Sequence, residues 1–254
     1  PRVFRLSEDK AIINRLGFPN DGMSIICERI KNDPAKGICG VNIGPNKENA
    51  TSIEDYLSCF EQFLNYASYI TINISSPNTP NLRSQHDDDK ISQLIDSIQW
   101  KRNENKSKIP ILLKISPDID DKKISNLCDI FIKKKVDGLI LTNTTIQNRM
   151  NLSNNNKFEK GGLSGEPLND LSNDIIKKFY SFLGKKIPII GVGGVSSGET
   201  AFKKIKSGAT LLQLYTSLVY EGPSIAKKIN KELSELVKIN GFKNISDVIG
   251  IDCK

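Results

Sequence analysis

Six short apolar runs punctuate the chain, at 37–43, 69–74, 109–115, 137–142, 187–192 and 211–215. Most are rich in Ile, Leu and Val and nearly continuous in hydrophobicity, as expected of strands buried on both faces of a parallel sheet. Between them lie amphipathic segments at 53–66, 90–98, 122–134, 172–183 and 198–206, with 225–239 last. Their apolar residues fall at helical spacing, as Ile124, Leu127, Cys128 and Phe131 do. Strand alternating with helix predicts an α/β architecture.

The carboxyl ends of the apolar runs are polar. They read Asn42-Ile43-Gly44, Asn73-Ile74-Ser75-Ser76, Lys114-Ile115-Ser116, Thr142-Asn143-Thr144-Thr145, Gly191-Val192-Gly193-Gly194 and Tyr215-Thr216-Ser217. Six polar ends in register predict one common mouth, the place where a (β/α)8 TIM barrel keeps its chemistry. The expected fold is therefore that barrel, with about six of its eight strand–helix units present in this chain. A doubly wound open sheet is the alternative, and it would concentrate ligand contacts near its switch point. Residues 2–6 and 11–14 predict a small antiparallel pair, and the asparagine-rich 148–160 a surface loop. With no interdomain linker in sight, residues 1–254 read as a single domain.

Composition narrows the chemistry. Lys and Arg outnumber Asp and Glu by 36 to 29, a formal charge of +7. The lysines cluster in helix-like stretches, such as Lys133–Lys135, Lys177-Lys178, Lys203-Lys204 and Lys227-Lys228. They read as solvated helix faces, with no nucleic-acid partner expected. No run reaches the ~18 apolar residues of a membrane span, and no signal-peptide pattern opens the sequence. The five cysteines are widely spaced with no Cys-x-x-Cys, which fits packing roles in a reducing compartment. The single histidine, His86, excludes zinc sites that need two or three, and no metal is expected. A Ser-His-Asp hydrolase would depend on His86 alone, which reads as a surface residue in the polar stretch 84–89.

Gly191-Val192-Gly193-Gly194, followed by Ser196-Ser197-Gly198, is a phosphate-cradle candidate: glycines admit close backbone N–H approach, and a helix N-terminus follows. It falls on the penultimate strand, and loops after the last two strands are the usual phosphate site of a barrel. Lys114 lies inside the run Ile111-Leu112-Leu113-Lys114-Ile115, where an unpaired ammonium would be costly and an anionic ligand would relieve it. Asn14, Asn42, Asn73, Asn78 and Asn143 add carboxamides that donate and accept, suited to a planar heterocycle with imide groups, although asparagine also favours turns.

Three motifs together closely resemble the dihydroorotate dehydrogenase family. They are Asn73-Ile74-Ser75-Ser76-Pro77-Asn78-Thr79-Pro80, Gly161-Gly162-Leu163-Ser164-Gly165 and Gly191-Val192-Gly193-Gly194-Val195-Ser196-Ser197-Gly198. Residues 1–6, Ile13-Asn14-Arg15, Gly40–Gly44, Leu141–Thr145 and Gln213–Thr216 add to the likeness, which runs from Pro1 to about Gly250. The resemblance implies an FMN-dependent barrel that oxidises dihydroorotate to orotate in pyrimidine synthesis. Ser76, where the soluble class typically carries cysteine, implies the membrane-associated, quinone-reducing class, peripheral on a bacterial or mitochondrial inner membrane. It further implies that Ser76 removes the substrate's C5 proton, aided by Thr79 and Phe18. Asn14, Asn73, Asn78, Asn143 and Thr144 match the family's substrate contacts. Asn42, Lys114, Thr142, Ser164, Gly165, Gly194, Tyr215 and Thr216 match its flavin contacts, with Lys114 countering negative charge on the flavin. Arg5 matches a position facing the quinone tunnel.

Two departures stand out: Pro45 where relatives usually carry lysine, and Asn81 where they usually carry glycine. The second is expected to alter lid mobility. The family's pattern also implies that these 254 residues are the C-terminal part of a longer polypeptide. Its preceding segment would supply two strands, some flavin contacts, a substrate-binding lysine and the membrane-docking quinone entrance. The competing readings are a class using a soluble acceptor such as fumarate and a silent flavin- or phosphate-binding fragment.

Overall fold

The computed structural model describes residues 1–46, 49, 51–76, 88–147 and 149–253. In chain order the elements are β1 (Val3–Leu6), β2 (Ala11–Asn14), α1 (Met23–Asn32), β3 (Gly40–Ile43), α2 (Ile53–Phe63), β4 (Tyr69–Asn73), α3 (Asp88–Glu104), β5 (Ile111–Ile115) and α4 (Asp121–Lys133). They continue with β6 (Gly138–Leu141), β7 (Gly162–Gly165), α5 (Asn169–Leu183), β8 (Ile189–Val192), α6 (Gly198–Lys206), β9 (Leu211–Gln213), α7 (Thr216–Glu221) and α8 (Ile225–Ile239).

Six strands form one parallel sheet in the order β3-β4-β5-β6-β8-β9. These are the six apolar runs, and each pairs in parallel with the next in that order, so all their carboxyl ends lie on one side. Among the described residues no further strand pairs with β3 or β9, and the sheet is open at both edges. Ile70, Ile72, Leu113, Leu139, Leu141 and Ile189 are buried in the strands, and Phe60, Phe131 and Phe179 pack on them from α2, α4 and α5. Local signals start the helices. Ser52 accepts from the Asp55 N–H at α2, and Ser197 forms a reciprocal capping box with Thr200 at α6, each cap adding about 1 kcal/mol.

The second sheet is antiparallel, in the order β1-β2-β7. The hairpin is the expected pair, but β7 is not among the apolar runs. Its Gly-Leu-Ser-Gly sequence is too short and glycine-rich to signal a strand, and it forms because β2 offers Ala11–Asn14 as a partner edge. The loop before it contains one short 3-10 turn, Asn155–Phe158. Arg149 donates to the Glu159 carbonyl at 2.6 Å, and Asp9 takes the Ser153 and Asn154 N–H groups at 2.8 and 3.1 Å. Those bonds anchor the loop and thereby deliver β7 to β2.

One expectation is corrected. Lys203-Lys204 is not uniformly a solvated face. Lys203 is exposed and pairs with Asp170 at 2.7 Å, whereas Lys204 is 0% exposed. Ala201, Lys204 and Ile205 make one helical stripe at i, i+3 and i+4, so the lysine shares the face that turns to the core.

Candidate functional site

A cavity of about 720 Å³ opens at the carboxyl ends of the parallel strands, within the range of small-molecule and cofactor sites. β5 contributes Lys114, and the turn after β6 contributes Thr142, Asn143 and Thr144. Gly193 and Gly194 follow β8, Tyr215 and Thr216 follow β9, and the antiparallel sheet closes the remaining side with Asn14, Ser164 and Gly165.

At one end, hydrogen bonds orient the carboxamides. Asn73, 4% exposed, uses its Oδ1 to accept from the Ser75 N–H and hydroxyl, both at 3.2 Å, and from Asn143 Nδ2 at 3.4 Å. Asn143 Nδ2 also donates to Ser75 Oγ at 2.9 Å, while its Oδ1 accepts the Thr144 N–H at 2.8 Å. Ser75 thus joins the ends of β4 and β6. From below, the buried Tyr56 hydroxyl donates to the Asn73 carbonyl at 2.8 Å. Burial, with a smaller contribution from the Asp55 carboxylate, pushes that phenol above its usual range and keeps it a donor. Lys114 sits beside Asn73 in the strand register. Ser76, 7% exposed, follows directly in the chain.

The groups between the two ends are unsatisfied. Burial alone pushes the Lys114 ammonium below the ordinary lysine range, and among the described residues no carboxylate pairs with it. Thr142 Oγ1 is buried with no hydrogen-bond partner among the described residues. A buried hydroxyl and a desolvated ammonium in one wall call for a ligand that accepts hydrogen bonds and carries negative charge.

The far end is a close-fitting cradle. Gly165 has φ +102°, and a Cβ there would lie 2.3 Å from the Lys10 carbonyl oxygen. Gly194 has φ +69°, and a Cβ there would lie 2.5 Å from the Asn169 Cβ. Only glycine suits either position. Thr216 donates to Ser164 Oγ at 2.8 Å, tying the start of α7 to β7.

Asn14, Lys114, Thr142, Asn143, Thr144, Ser164, Gly165, Gly194, Tyr215 and Thr216 therefore share one cavity, with Asn73 bonded behind it. Asn42 is exposed on the edge strand β3 and is not among the residues lining the cavity. Phe18, at φ +56°, sets its ring over Gly44, where an added Cβ would lie 3.5 Å from it. Arg5 is exposed, with its guanidinium 5.8 Å from the centre of the Tyr220 ring. Asn78, Thr79, Asn81 and His86 lie outside the described residues. Lys10, Asn169, Tyr220 and Lys228 also line the cavity, and sequence reasoning missed them. Asn169 carried a usable signal, since it begins the helix just after the Gly165 turn.

The fold and site define a parallel α/β protein whose strand ends hold a cofactor-sized, anion-accepting cavity. A sequence profile of the family described as "Dihydroorotate dehydrogenase" matches residues 1–237, and the chain belongs to that family. "Dihydroorotate dehydrogenase (quinone)" of Bartonella tribocorum is 44% identical over 252 residues, covering 97% of this chain and 70% of the relative. The Brucella anthropi protein of the same name is 43% identical over 259 residues, covering 100% and 71%. Among solved structures, Eimeria tenella DHODH in complex with ferulenol superposes with a TM-score of 0.94 at 33% identity, over 99% of this chain and 74% of that one. The family's enzymes are FMN flavoproteins. The cavity fits that cofactor: the unpaired Lys114 and Thr142 groups suit the carbonyls and ring nitrogens of an isoalloxazine, and the glycine cradle suits a phosphate.

Proposed function

We propose that this protein catalyses FMN-dependent oxidation of dihydroorotate to orotate with a quinone as electron acceptor, a step of pyrimidine synthesis. The observation that carries the reading is the cavity wall in which Lys114 and Thr142 lack partners beside the oriented Asn73–Ser75–Asn143 group. Family membership and the names of the relatives support it.

Bound FMN would supply the two-electron acceptor for the hydride leaving C6 of dihydroorotate. The chain's own residues do the rest. Asn14, Asn73, Asn143 and Thr144, with Asn78, bind the planar imide and carboxylate of the substrate. The carboxamides of Asn73 and Asn143 are already oriented by the hydrogen bonds around Ser75, so these two need little reorganisation on binding. Ser76 takes the C5 proton, and Thr79 and Phe18 serve its passage to solvent. Lys114, Thr142, Ser164, Gly165, Gly194, Tyr215 and Thr216 hold the cofactor, and Asn42 joins them from the edge strand. Lys114 sets positive charge where negative charge develops.

The six parallel strands belong, in this reading, to an eight-stranded barrel, a ring that two more strands would close between β9 and β3. All of residues 1–254 then form one domain. Quinones are membrane lipids, so the enzyme works at a membrane surface, with Arg5 near the quinone's approach. Among the described residues no helix is long and apolar enough to cross a membrane.

Steady-state oxidation of dihydroorotate by the purified protein, compared across a ubiquinone analogue, fumarate and NAD, tests the proposal. Quinone should be the strongly preferred acceptor. Preference for fumarate would place the protein in the soluble-acceptor class, and no turnover with any acceptor would reduce it to a flavin-binding protein.

A further inference from the structure

Lys204 on α6 is wholly buried, yet no carboxylate contacts its ammonium among the described residues. Burial pushes it down to about 7, against an upward pull from Asp170. An ammonium in such a place is costly unless its surroundings compensate. Its Nζ donates to Ser172 Oγ at 3.0 Å and to Asn173 Oδ1 at 2.6 Å, and each acceptor passes a bond onward.

Ser172 Oγ donates at 2.7 Å to the Val192 carbonyl, which also accepts the Thr142 N–H at 2.9 Å. Asn173 Nδ2 donates to Asn169 Oδ1 at 3.0 Å, and Asn169 Nδ2 donates to the Gly194 carbonyl at 3.0 Å. Both chains run head to tail from the lysine, so each bond polarises the next. Both end on carbonyls that bracket Gly193.

The three glycines of Gly191-Val192-Gly193-Gly194 fit this network one by one. A Cβ on Gly191 would lie 2.8 Å from Lys204 Cγ and Cδ, one on Gly193 3.0 Å from Ser172 Cβ, and one on Gly194 2.5 Å from Asn169 Cβ. The glycines let the loop sit directly on the lysine and its two relays.

In a trans peptide unit the C=O and the following N–H point in opposite directions. Holding the Val192 and Gly194 carbonyls toward α5 therefore turns the Gly193 and Val195 N–H groups the other way. Among the described residues neither N–H has an acceptor, and both residues line the cavity.

We propose that Lys204 is a positioning residue for the anion-binding end of the cavity, acting through Ser172 and through Asn173–Asn169 to aim the Gly193 and Val195 N–H groups at the cofactor's phosphate. The proposal rests on the FMN reading, and its test separates the two. Equilibrium binding of FMN and of riboflavin, which lacks the phosphate, is measured by fluorescence on the flavin-depleted protein and its Lys204→Met variant.

The wild type should bind FMN more tightly than riboflavin. Lys204→Met should weaken FMN binding by about tenfold or more, the effect of losing charge-assisted bonds, and leave riboflavin binding unchanged. A merely structural lysine would weaken both flavins equally or neither, and either result overturns the proposal while leaving the FMN reading intact. A wild type that binds FMN no better than riboflavin overturns that reading and the proposal with it. Should Lys204→Met fail to fold, Ser172→Ala, which cuts one relay and keeps the lysine, decides in the same way. FMN binding alone should weaken, by about threefold, and equal effects on both flavins refute the proposal.

Discussion

Thr142→Val changes one oxygen for one methyl at the most exactingly placed hydroxyl of the cavity, and its effects on the two states should be opposite in sign. Thr142 is 2% exposed and its Oγ1 has no partner among the described residues, while its N–H is engaged by the Val192 carbonyl at 2.9 Å. An unsatisfied buried hydroxyl costs about 1–3 kcal/mol. Valine has the same shape without that cost, so the flavin-free protein should gain stability. Taking the lower figure, about 1 kcal/mol, the melting temperature should rise by roughly 2–4 °C for a chain of this size. With FMN bound the same hydroxyl finds its partner, and a net neutral hydrogen bond of about 0.5–1.5 kcal/mol is lost on substitution. The two opposite changes add in the binding cycle, to about 1.5–2.5 kcal/mol, so FMN affinity should fall by about ten- to seventyfold. Thermal melts of flavin-depleted and FMN-saturated protein, with an FMN fluorescence titration, measure both quantities. A variant whose flavin-free melting temperature falls while its FMN affinity is unchanged would show that the hydroxyl serves the fold and not the cofactor.

Ser76→Ala should lower dihydroorotate oxidation by about 10²–10⁴, the usual contribution of a positioned proton-transfer group, while FMN content stays the same; steady-state rates at saturating quinone check it. Lys114→Met should lower the midpoint potential of bound flavin by roughly 30–60 mV, the two-electron equivalent of losing a charge-assisted bond, as read by potentiometric titration. Lys204 binds its proton less tightly when folded, at about 7, than at the ordinary lysine value when unfolded. The unfolded state therefore holds more protons between those values, and stability should rise with pH from about 7 upward. Melting temperatures at pH 7 and 9 should show that rise in the wild type and a smaller one in Lys204→Met.

The parallel sheet was readable because β4, β5 and β6 are almost wholly buried, and together with β8 appear as short, nearly continuous apolar stretches. β7 was not, because Gly162–Gly165 owes its strand conformation to pairing with β2 rather than to its own residues. α1 was passed over since its mixed sequence, Met23–Asn32, buries only Cys27. α3 runs six residues past the expected 98, where residues 99–104, mostly polar and with Trp100 exposed, extend the helix beyond its apolar stripe.

In the site, Lys114 and the glycine turn announced themselves as a charge in an apolar run and as punctuation after a strand. Lys204 did not, being one of three lysines within four residues of α6. Only its phase with Ala201 and Ile205 marks it as inward. The Ser75 hub was hidden differently, because its value lies in contacts between β4 and β6 across nearly 70 residues.

The central claim is that the cavity at the strand ends joins dihydroorotate to a bound flavin and a quinone. Anaerobic addition of dihydroorotate to the FMN-loaded protein, followed by a ubiquinone analogue, tests it in one cuvette. The visible flavin band should bleach with stoichiometric dihydroorotate, and the quinone should restore it as orotate accumulates. A flavin band that dihydroorotate leaves unchanged, in protein shown to carry FMN, would contradict the account.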